Sequence, residues 1–143
     1  MTDAVTSPVT DGHLRDLLAR AGFVRDYGFR LASFGDGVCT VHVPFHPGLE
    51  RPGGVVGGPV FMAAADVATW LAIVTRLGPT DRSVTVDLKT AFLSPARQED
   101  VFCTARVLKL GRRLIYGVAE CVTADGRLLA HSTVTYARSS TTA

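Results

Sequence analysis

Residues 57–74, GGPVFMAAADVATWLAIV, decide the fold of this chain, because they form a long apolar segment with a single acid near its middle. From residue 59 to residue 74, only Asp66 and Thr69 are polar. A helix that is apolar on every side is normally buried, and burying an unpaired carboxylate costs several kcal/mol. The segment therefore predicts a buried helix in which Asp66 either has a local partner or performs chemistry.

Both ends of this helix carry recognisable signals. Pro59 suits the first helical turn, where a missing N–H has no consequence. Gly78 and Pro79 are typical of a helix end, so the helix should stop after Leu77.

Strands are predicted on both sides of the helix. Before it, residues 27–34 and 38–44 are strand-like and are separated by a Gly-Asp-Gly hairpin turn, and residues 45–58 form a loop rich in Gly and Pro. After it come four more strand-like runs, at 84–92, 100–110, 112–122 and 127–137. The first of these alternates between apolar and polar residues, which is the period of a strand.

The N-terminal segment is predicted to lie outside the main domain. Residues 1–10 have the composition of a loose tail, and Asp11 suits the N-cap of a short amphipathic helix that ends at Gly22. We therefore expect a tail and short helix at 1–22, a main domain at 23–138 and a C-terminal tail at 139–143.

The order of the elements predicts an α+β fold. One apolar helix between runs of strands that are joined by short turns favours a curved antiparallel sheet wrapped around that helix. Such wrapping explains why the helix is apolar on all sides. The chain has 143 residues, which is long enough to bury a substantial core. It contains no internal repeat, so we expect one main domain.

Composition and charge exclude several classes of protein. A net charge of +2, with Lys and Arg spread along the chain, is too small for nucleic-acid binding. The apolar segment carries Asp66 and stops at Arg76, so we expect no membrane-spanning helix, and the N-terminus lacks the features of a signal peptide. Cys39, Cys103 and Cys121 are odd in number and far apart, which favours reduced core residues and a cytoplasmic protein. No two histidines show ligand spacing, so we expect neither a metal nor a redox cofactor.

Four segments, taken in order, carry a resemblance to a known family. They are RPGGVVGGPVFMAAADVATWLAIV at residues 51–74, SVTVDLKTAFLSPA at 83–96, the hairpin LKLGR at 108–112 and LLAHSTVTY at 128–136. Together they resemble the hotdog-fold acyl-CoA thioesterases of the phenylacetic-acid-degradation (PaaI-like) type, over roughly residues 25 to 137. The resemblance implies a hotdog fold and hydrolysis of an acyl-CoA, with an aryl or medium-chain acyl group, to the free acid and CoA.

The family pattern is Asn-x-x-Gly-x-x-His-Gly-Gly, followed after six residues by a catalytic Asp or Glu. Aligned on Asp66, the first family glycine falls on Gly54, the Asn position holds Arg51 and the His position holds Gly57. The acid is therefore present, whereas the Asn and His that position substrate and water in the family are replaced.

The resemblance implies catalytic roles at the helix and at the strand after it. A backbone N–H near Gly58, with Gly57 beside it, would polarise the thioester carbonyl, because the first N–H groups of a helix are unpaired. Asp66 would act as a general base on water or as a nucleophile through an anhydride. Thr85 occupies a position at which family members carry a hydroxyl that holds the water. In the family the acid of one subunit meets the N–H groups of the other, which implies a homodimer or a homotetramer.

The acyl group is expected in an apolar pocket against Phe61, Met62 and the partner subunit. Arg51 and Pro59, at the entrance to the helix, and Trp70, one turn beyond the acid, are further substrate-binding candidates. Trp70 has a plainer interpretation as a packing residue, and Arg51 as a loop cation.

Cations around the Gly111 turn are candidates for the CoA phosphates, because such hairpin residues lie near the phosphates in the family. Arg binds phosphate through two parallel hydrogen bonds, which favours Arg112 or Arg113 over Lys109. A solvated turn is the alternative for these side chains.

Two other functions stay open at this stage. One is a non-catalytic acyl-CoA-binding protein, consistent with the replaced His and Asn. The other is a hotdog hydratase or dehydratase, which would ordinarily need a His beside the acid, and no His lies near Asp66 in the sequence.

Overall fold

The computed structural model describes residues 9–139, in which a six-stranded antiparallel sheet wraps around one long helix. The α-helices are α1 (Asp11–Arg20) and α2 (Gly58–Leu77), and short 3₁₀ helices span Gly22–Tyr27 and Pro47–Leu49. The strands are β1 (Arg30–Gly35), β2 (Val38–Val43), β3 (Glu50–Arg51), β4 (Val55–Val56), β5 (Val84–Phe92), β6 (Val101–Leu110), β7 (Leu114–Val122) and β8 (Leu128–Ala137). The predicted α+β hotdog architecture is confirmed.

The main sheet has the order β1-β2-β6-β7-β8-β5, with all neighbours antiparallel. β3 and β4 form a separate two-stranded hairpin directly before α2, within the region that the sequence predicts to be a loop. Because β5 follows α2 in sequence but pairs with β8, the C-terminal strand holds the segment after the helix in the sheet. The two edges of the sheet are β1 and β5.

The centre of the core is α2, of whose 20 residues 11 are buried. The many alanines of α2 let the sheet pack close to the helix. Gly117 on β7 also allows close packing, because it has no side chain. A Cβ at Gly117 would lie 2.8 Å from the Arg106 carbonyl oxygen and 3.5 Å from Thr69 Cγ2. Thr69 donates its hydroxyl to the Ala65 carbonyl at 2.8 Å, which satisfies this buried polar group within the helix.

The length and hydropathy of α2 correct the argument by which the sequence excluded a membrane-spanning helix. With 20 residues and a mean hydropathy of 1.6, the helix is long and apolar enough, by composition alone, to cross a membrane. A single acid at Asp66 does not lower the hydropathy enough to exclude it. In the fold, 61% of the apolar window is buried against the rest of the chain, as in the core helix of a wrapped sheet.

The N-terminal region differs from the prediction at two points. The N-cap of α1 is Thr10 rather than Asp11, because Thr10 Oγ1 accepts the His13 N–H at 3.1 Å while His13 Nδ1 accepts the Thr10 N–H at 3.0 Å. The strand predicted from residue 27 begins only at Arg30. The 3₁₀ helix before it ends at Tyr27 and is followed by Gly28, whose φ of +78° is readily adopted only by glycine.

The bounds of β5 match the predicted 84–92, but its alternation is interrupted. The register with β8 shifts between Thr85 and Asp87, which places a bulge at Val86. Val84 is 59% exposed, Val86 54% and Phe92 53%. Apolar side chains along an unpaired edge strand are typical of a surface that another chain covers.

The three cysteines are free and buried, as the sequence predicts. Cys103 and Cys121 are direct cross-strand partners on β6 and β7. Burial raises the pKa of the Cys39 thiol to about 12, so this thiol is protonated and unreactive at neutral pH.

Replacing Leu71 with alanine should destabilise the fold strongly. Leu71 lies on α2 and is fully buried, so truncation leaves a cavity against the sheet, and we expect a loss of about 2–5 kcal/mol in the free energy of unfolding. Denaturant unfolding at one fixed protein concentration measures this loss. The matched control is Leu108→Ala at an exposed position on β6, which should change stability by about 0.5 kcal/mol or less. Equal losses in both variants would contradict the assignment of α2 as the core.

Candidate active site

Two partners hold the Asp66 carboxylate. Its Oδ1 accepts the Thr85 hydroxyl at 2.7 Å and lies 2.7 Å from the Tyr136 hydroxyl, which is also 3.1 Å from the Asp66 carbonyl oxygen. Within residues 9–139, Oδ2 receives no hydrogen bond. The half-buried acid therefore has its local partners and still keeps one oxygen free for chemistry.

The pairing of β5 with β8 brings these partners together. Thr85 and Tyr136 are direct cross-strand neighbours, and α2 lays Asp66 across that pair. The bulge at Val86 follows Thr85 immediately, and bulges of this kind re-aim side chains beside functional sites. Thr85 thus stands beside the acid, where the family resemblance expects a hydroxyl.

Sequence analysis missed Tyr136. The residue lies 70 positions after Asp66, at the end of the last strand, where the quoted LLAHSTVTY segment shows only a strand pattern. The available signal was chemical, since a buried Tyr normally needs a hydrogen-bond partner for its hydroxyl. Burial, and after it the negative charge of Asp66, raise the pKa of Tyr136 well above its usual range. Tyr136 therefore stays protonated and acts as a donor to the acid.

A pocket of about 270 Å³ opens at this carboxylate. Its walls are mainly apolar, and two of its polar side chains, Thr85 and Tyr136, contact the acid. The pocket is lined by Phe23, Asp66, Val67, Trp70, Ser83, Val84, Thr85 and Tyr136. The substrate-binding candidate Trp70 is thus part of the wall beside the acid. We name this space the acid pocket.

The start of α2 presents one free amide. The Gly57 N–H donates to the Leu49 carbonyl at 2.9 Å, Pro59 has no N–H, and the Val60 N–H donates to the Gly57 carbonyl at 3.0 Å. Among the described residues, the Gly58 N–H has no acceptor. The helix start therefore offers the Gly58 N–H to an incoming oxygen, while Gly57 serves as the N-cap.

A second pocket, of about 380 Å³, lies at this amide. It is lined by Arg51, Val55, Val56, Gly58, Phe61, Phe92, Leu93, Ser94 and Pro95, and we name it the amide pocket. A Cβ on Gly58 would come within 3.3 Å of the Phe92 ring, so glycine keeps the amide accessible. Arg51 donates to the Pro52 carbonyl at 2.6 Å and is exposed at the rim.

The two pockets are separate within one chain. Their linings share no residue, and Asp66 lies eight residues after Gly58 on the same helix, about 12 Å along its axis. Of the predicted acyl-pocket residues, Phe61 lines the amide pocket, whereas Met62 is 40% exposed and lines neither pocket.

The predicted phosphate-binding cations lie at the same end of the sheet as the acid pocket. Arg112 and Arg113 are exposed in the turn between β6 and β7. The residue that follows them, Leu114, pairs with Ala137, which pairs with Val84 of the acid pocket. The turn is therefore two strands away from that pocket, about 10 Å across the sheet.

Removing the Tyr136 hydroxyl should lower turnover without weakening substrate binding. In Tyr136→Phe the acid loses one of two donors on Oδ1 and is held less firmly, so we expect kcat to fall about tenfold, the effect of one hydrogen bond to a charged group. Steady-state kinetics with an accepted thioester measure the change, and KM should stay within about twofold of wild type, an effect below 0.5 kcal/mol. The matched control, Tyr116→Phe at an exposed position on β7, should leave both constants unchanged. A fall in stability with no change in kcat would mean that Tyr136 is only a packing residue.

Comparisons with known proteins agree with this fold. The family model described as the Thioesterase superfamily matches residues 53–130, which include α2 and β5 to β7. The Thermoplasma acidophilum protein named "Putative esterase Ta0293" is 27% identical over 123 residues, covering 86% of this chain and 92% of that protein.

Solved structures show the same architecture. The conserved protein PA5202 of Pseudomonas aeruginosa superimposes with a TM-score of 0.82 at 29% identity, covering 92% of this chain and 100% of that one. The PaaI protein from the phenylacetic acid degradation operon of E. coli does so with a TM-score of 0.80 at 16% identity, covering 90% and 91% of the two chains, which supports the fold alone. This chain therefore belongs to the thioesterase superfamily and has its hotdog fold.

Proposed function

We propose that this protein hydrolyses acyl-CoA thioesters to the free acid and CoA, with Asp66 as the reacting acid. The observation that carries the proposal is the geometry of the carboxylate. Thr85 and Tyr136 both bind Oδ1, which holds the group in place and leaves Oδ2 to face a water or a thioester in the acid pocket. A positioned base with one free oxygen suits hydrolysis of an activated ester.

The reaction can be written with the groups at hand. Oδ2 takes a proton from water as the water oxygen bonds to the thioester carbonyl carbon, and the developing oxyanion accepts the free Gly58 N–H. The C–S bond then breaks, and the CoA sulfur takes the proton back from Asp66. In the alternative, Oδ2 attacks the carbonyl itself, and water hydrolyses the resulting anhydride. Both routes need only water, the acid and the amide, with neither a metal nor a redox cofactor.

We further propose that a working site combines two chains as a homodimer, or as a homotetramer of two such dimers. The acid and the free amide are about 12 Å apart on one helix and belong to separate pockets. The apolar edge strand β5 lies beside both pockets, since Val84 lines one and Phe92 the other. A second chain on this edge would bring its own amide pocket to the acid of the first.

The acyl group is proposed to occupy the amide pocket, where Phe61 and Phe92 lie with ring centroids 6.3 Å apart. Aromatic and aliphatic walls of this size suit an aryl or medium-chain acyl group. Pro59 and Met62 stay substrate-binding candidates on the exposed side of the helix start.

Incubating the protein with a panel of acyl-CoAs, and following the release of free thiol, tests the function. We expect thiol release with aryl-acetyl and medium-chain acyl-CoAs. Saturable CoA binding without thiol release would instead identify a non-catalytic binder. Loss of enoyl-CoA absorbance without thiol release would identify a hydratase, although the lining of the acid pocket contains no histidine to support that chemistry.

The cationic turn should contribute to binding rather than to chemistry. In Arg112→Ala and in Arg113→Ala, we expect KM for acyl-CoA to rise about tenfold, the effect of one charge-assisted hydrogen bond, with kcat unchanged. KM for an acyl thioester of N-acetylcysteamine, which lacks phosphates, should not change. The control is Arg20→Ala on α1, where the guanidinium pairs with Asp16. If both turn variants keep the wild-type KM, the phosphates bind elsewhere.

A further inference from the structure

We propose that a third cavity, at the β1 edge of the sheet, binds a small organic phosphate, namely a phosphate monoester on a short apolar body. The cavity has a volume of about 480 Å³ and lies among α1, the first 3₁₀ helix and the start of β1. It is lined by Arg15, Leu18, Ala19, Val24, Arg25, Gly28, Phe29, Arg30, Leu31 and His42, and we name it the arginine cavity. It shares no residue with the acid pocket or the amide pocket.

The charges of the arginine cavity point to an anion. None of its lining residues is acidic. Arg15 is already paired with Asp11, whereas the guanidinium groups of Arg25 and Arg30 form no hydrogen bond or salt bridge with any residue between 9 and 139, although the charge of Arg30 also interacts with the Asp100 carboxylate. Two guanidinium groups without a hydrogen-bonding partner, on the wall of one concave site, favour a doubly charged oxyanion, which each can bind through two parallel hydrogen bonds.

The apolar side chains that line the cavity indicate that the ligand also carries an apolar group. Leu18, Val24, Phe29 and Leu31 are all buried core residues that face this space. These four side chains leave only 2–8% of their surface exposed, and an alkyl or aryl group would cover this remainder, whereas a free inorganic ion would not. The volume falls within the range of about 300–1,000 Å³ that small-molecule sites occupy.

One wall of the cavity is rigidly built. His42 Nε2 lies 2.8 Å from Asp100 Oδ2, and Asp100 Oδ1 accepts the Phe45 N–H at 2.8 Å. The His42 ring also stacks on Phe102, with centroids 4.5 Å apart and planes within 6°. This histidine, which has no role in the proposed hydrolysis, is therefore held in a fixed orientation beside the arginines.

The two sites have separate linings, although they adjoin through the first 3₁₀ helix, which contributes Phe23 to the acid pocket and Val24 and Arg25 to the arginine cavity. None of the residues that line the arginine cavity has a role in the proposed hydrolysis. The proposal therefore does not depend on thioesterase activity, and variants of Arg25 and Arg30 should hydrolyse thioesters at the wild-type rate.

Amide-resolved NMR titration of the full chain with phenyl phosphate tests the proposal. We expect saturable shifts confined to residues 15–31 and to His42, with a Kd of about 1 mM or tighter. Phenol should give no saturable shifts, and inorganic phosphate and benzoate should bind about tenfold more weakly, because each lacks part of the complementary chemistry. Binding of benzoate as tight as that of phenyl phosphate would overturn the assignment of a phosphate.

Charge-removing variants complete the test. In the double variant Arg25→Gln/Arg30→Gln, affinity for phenyl phosphate should fall at least about tenfold, while the spectrum elsewhere stays that of the folded wild type. The control Arg20→Gln, on the same region of α1 but outside the lining, should bind as wild type. Unchanged affinity in the double variant, an absence of saturation, or shifts centred on residues 111–113 would each overturn the proposal.

Discussion

Asp66→Asn should lower kcat for thioester hydrolysis by a factor of about 10²–10⁴, the usual loss when a positioned base is removed. Asparagine nearly matches the shape of aspartate, and its carbonyl oxygen can still accept the hydroxyls of Thr85 and Tyr136. The atom that replaces Oδ2 is an amide nitrogen, which neither accepts a proton nor attacks a carbonyl. The fold and the affinity for acyl-CoA should therefore survive while the chemistry is lost.

Thiol release under saturating substrate measures this effect, and thermal unfolding verifies the fold. The matched control is Asp87→Asn, which makes the same change two residues after Thr85, at an exposed position that lines neither pocket. It should retain turnover within about twofold of wild type. Full activity in Asp66→Asn would remove the basis of the proposed function, and the chain would then be a hotdog protein whose acid is structural.

Gly58→Pro should lower kcat by about 10²–10³, the loss that follows removal of one oxyanion donor. The substitution deletes the Gly58 N–H, which has no acceptor among residues 9–139, and leaves the helix backbone in place. Proline is favoured at the first helical position, and the residue before it, Gly57, already has the extended conformation that precedes proline, with ψ of 143°.

The control Gly58→Ala keeps the amide and adds only a methyl group, 3.3 Å from the Phe92 ring, an aromatic side chain that can rotate away. We expect Gly58→Ala to affect KM more than kcat, because it narrows the pocket and leaves the donor. Equal kcat in the proline and alanine variants would show that this amide does not stabilise the transition state.

Mixing the two inactive variants tests whether a site is shared between chains. If the acid and the amide come from different chains, a dimer of one Asp66→Asn chain and one Gly58→Pro chain contains one intact site of two. Random exchange makes half of the dimers mixed, so about a quarter of wild-type activity should return. If each chain carried its own complete site, no combination would recover activity.

Much of the fold was predictable because it follows from patterns that local sequence carries. The apolar run from residue 58 to residue 77 and the alternation of 84–92 specify a core helix and a strand without knowledge of their neighbours. The errors occurred where a short-range contact overrode the pattern. At the start of α1, hydrogen bonds between Thr10 and His13 place the N-cap at Thr10. Before β1, the φ of +78° at Gly28 is incompatible with a strand, so the strand begins later than predicted.

The candidate site was predictable to a smaller extent. Asp66 and Thr85 were identified by position, and the structure places them 2.7 Å apart. Tyr136 was missed because β5 pairs with β8 across two intervening strands of sequence, and no local pattern encodes a partner that distant. The sequence could not choose between Gly57 and Gly58 as the amide donor. The structure chooses Gly58, because the Gly57 N–H donates to the Leu49 carbonyl.

By itself, the sequence determined that an apolar helix must be buried and that an acid within it needs a reason, because hydropathy and desolvation act on each residue locally. Only the tertiary structure decided what that reason is. Strand pairing brings two hydroxyls onto one carboxylate oxygen, while the other oxygen and the Gly58 amide receive no partner within the described part of the chain. These outcomes depend on distances of about 3 Å between residues that are far apart in the chain, and only the complete fold sets such distances.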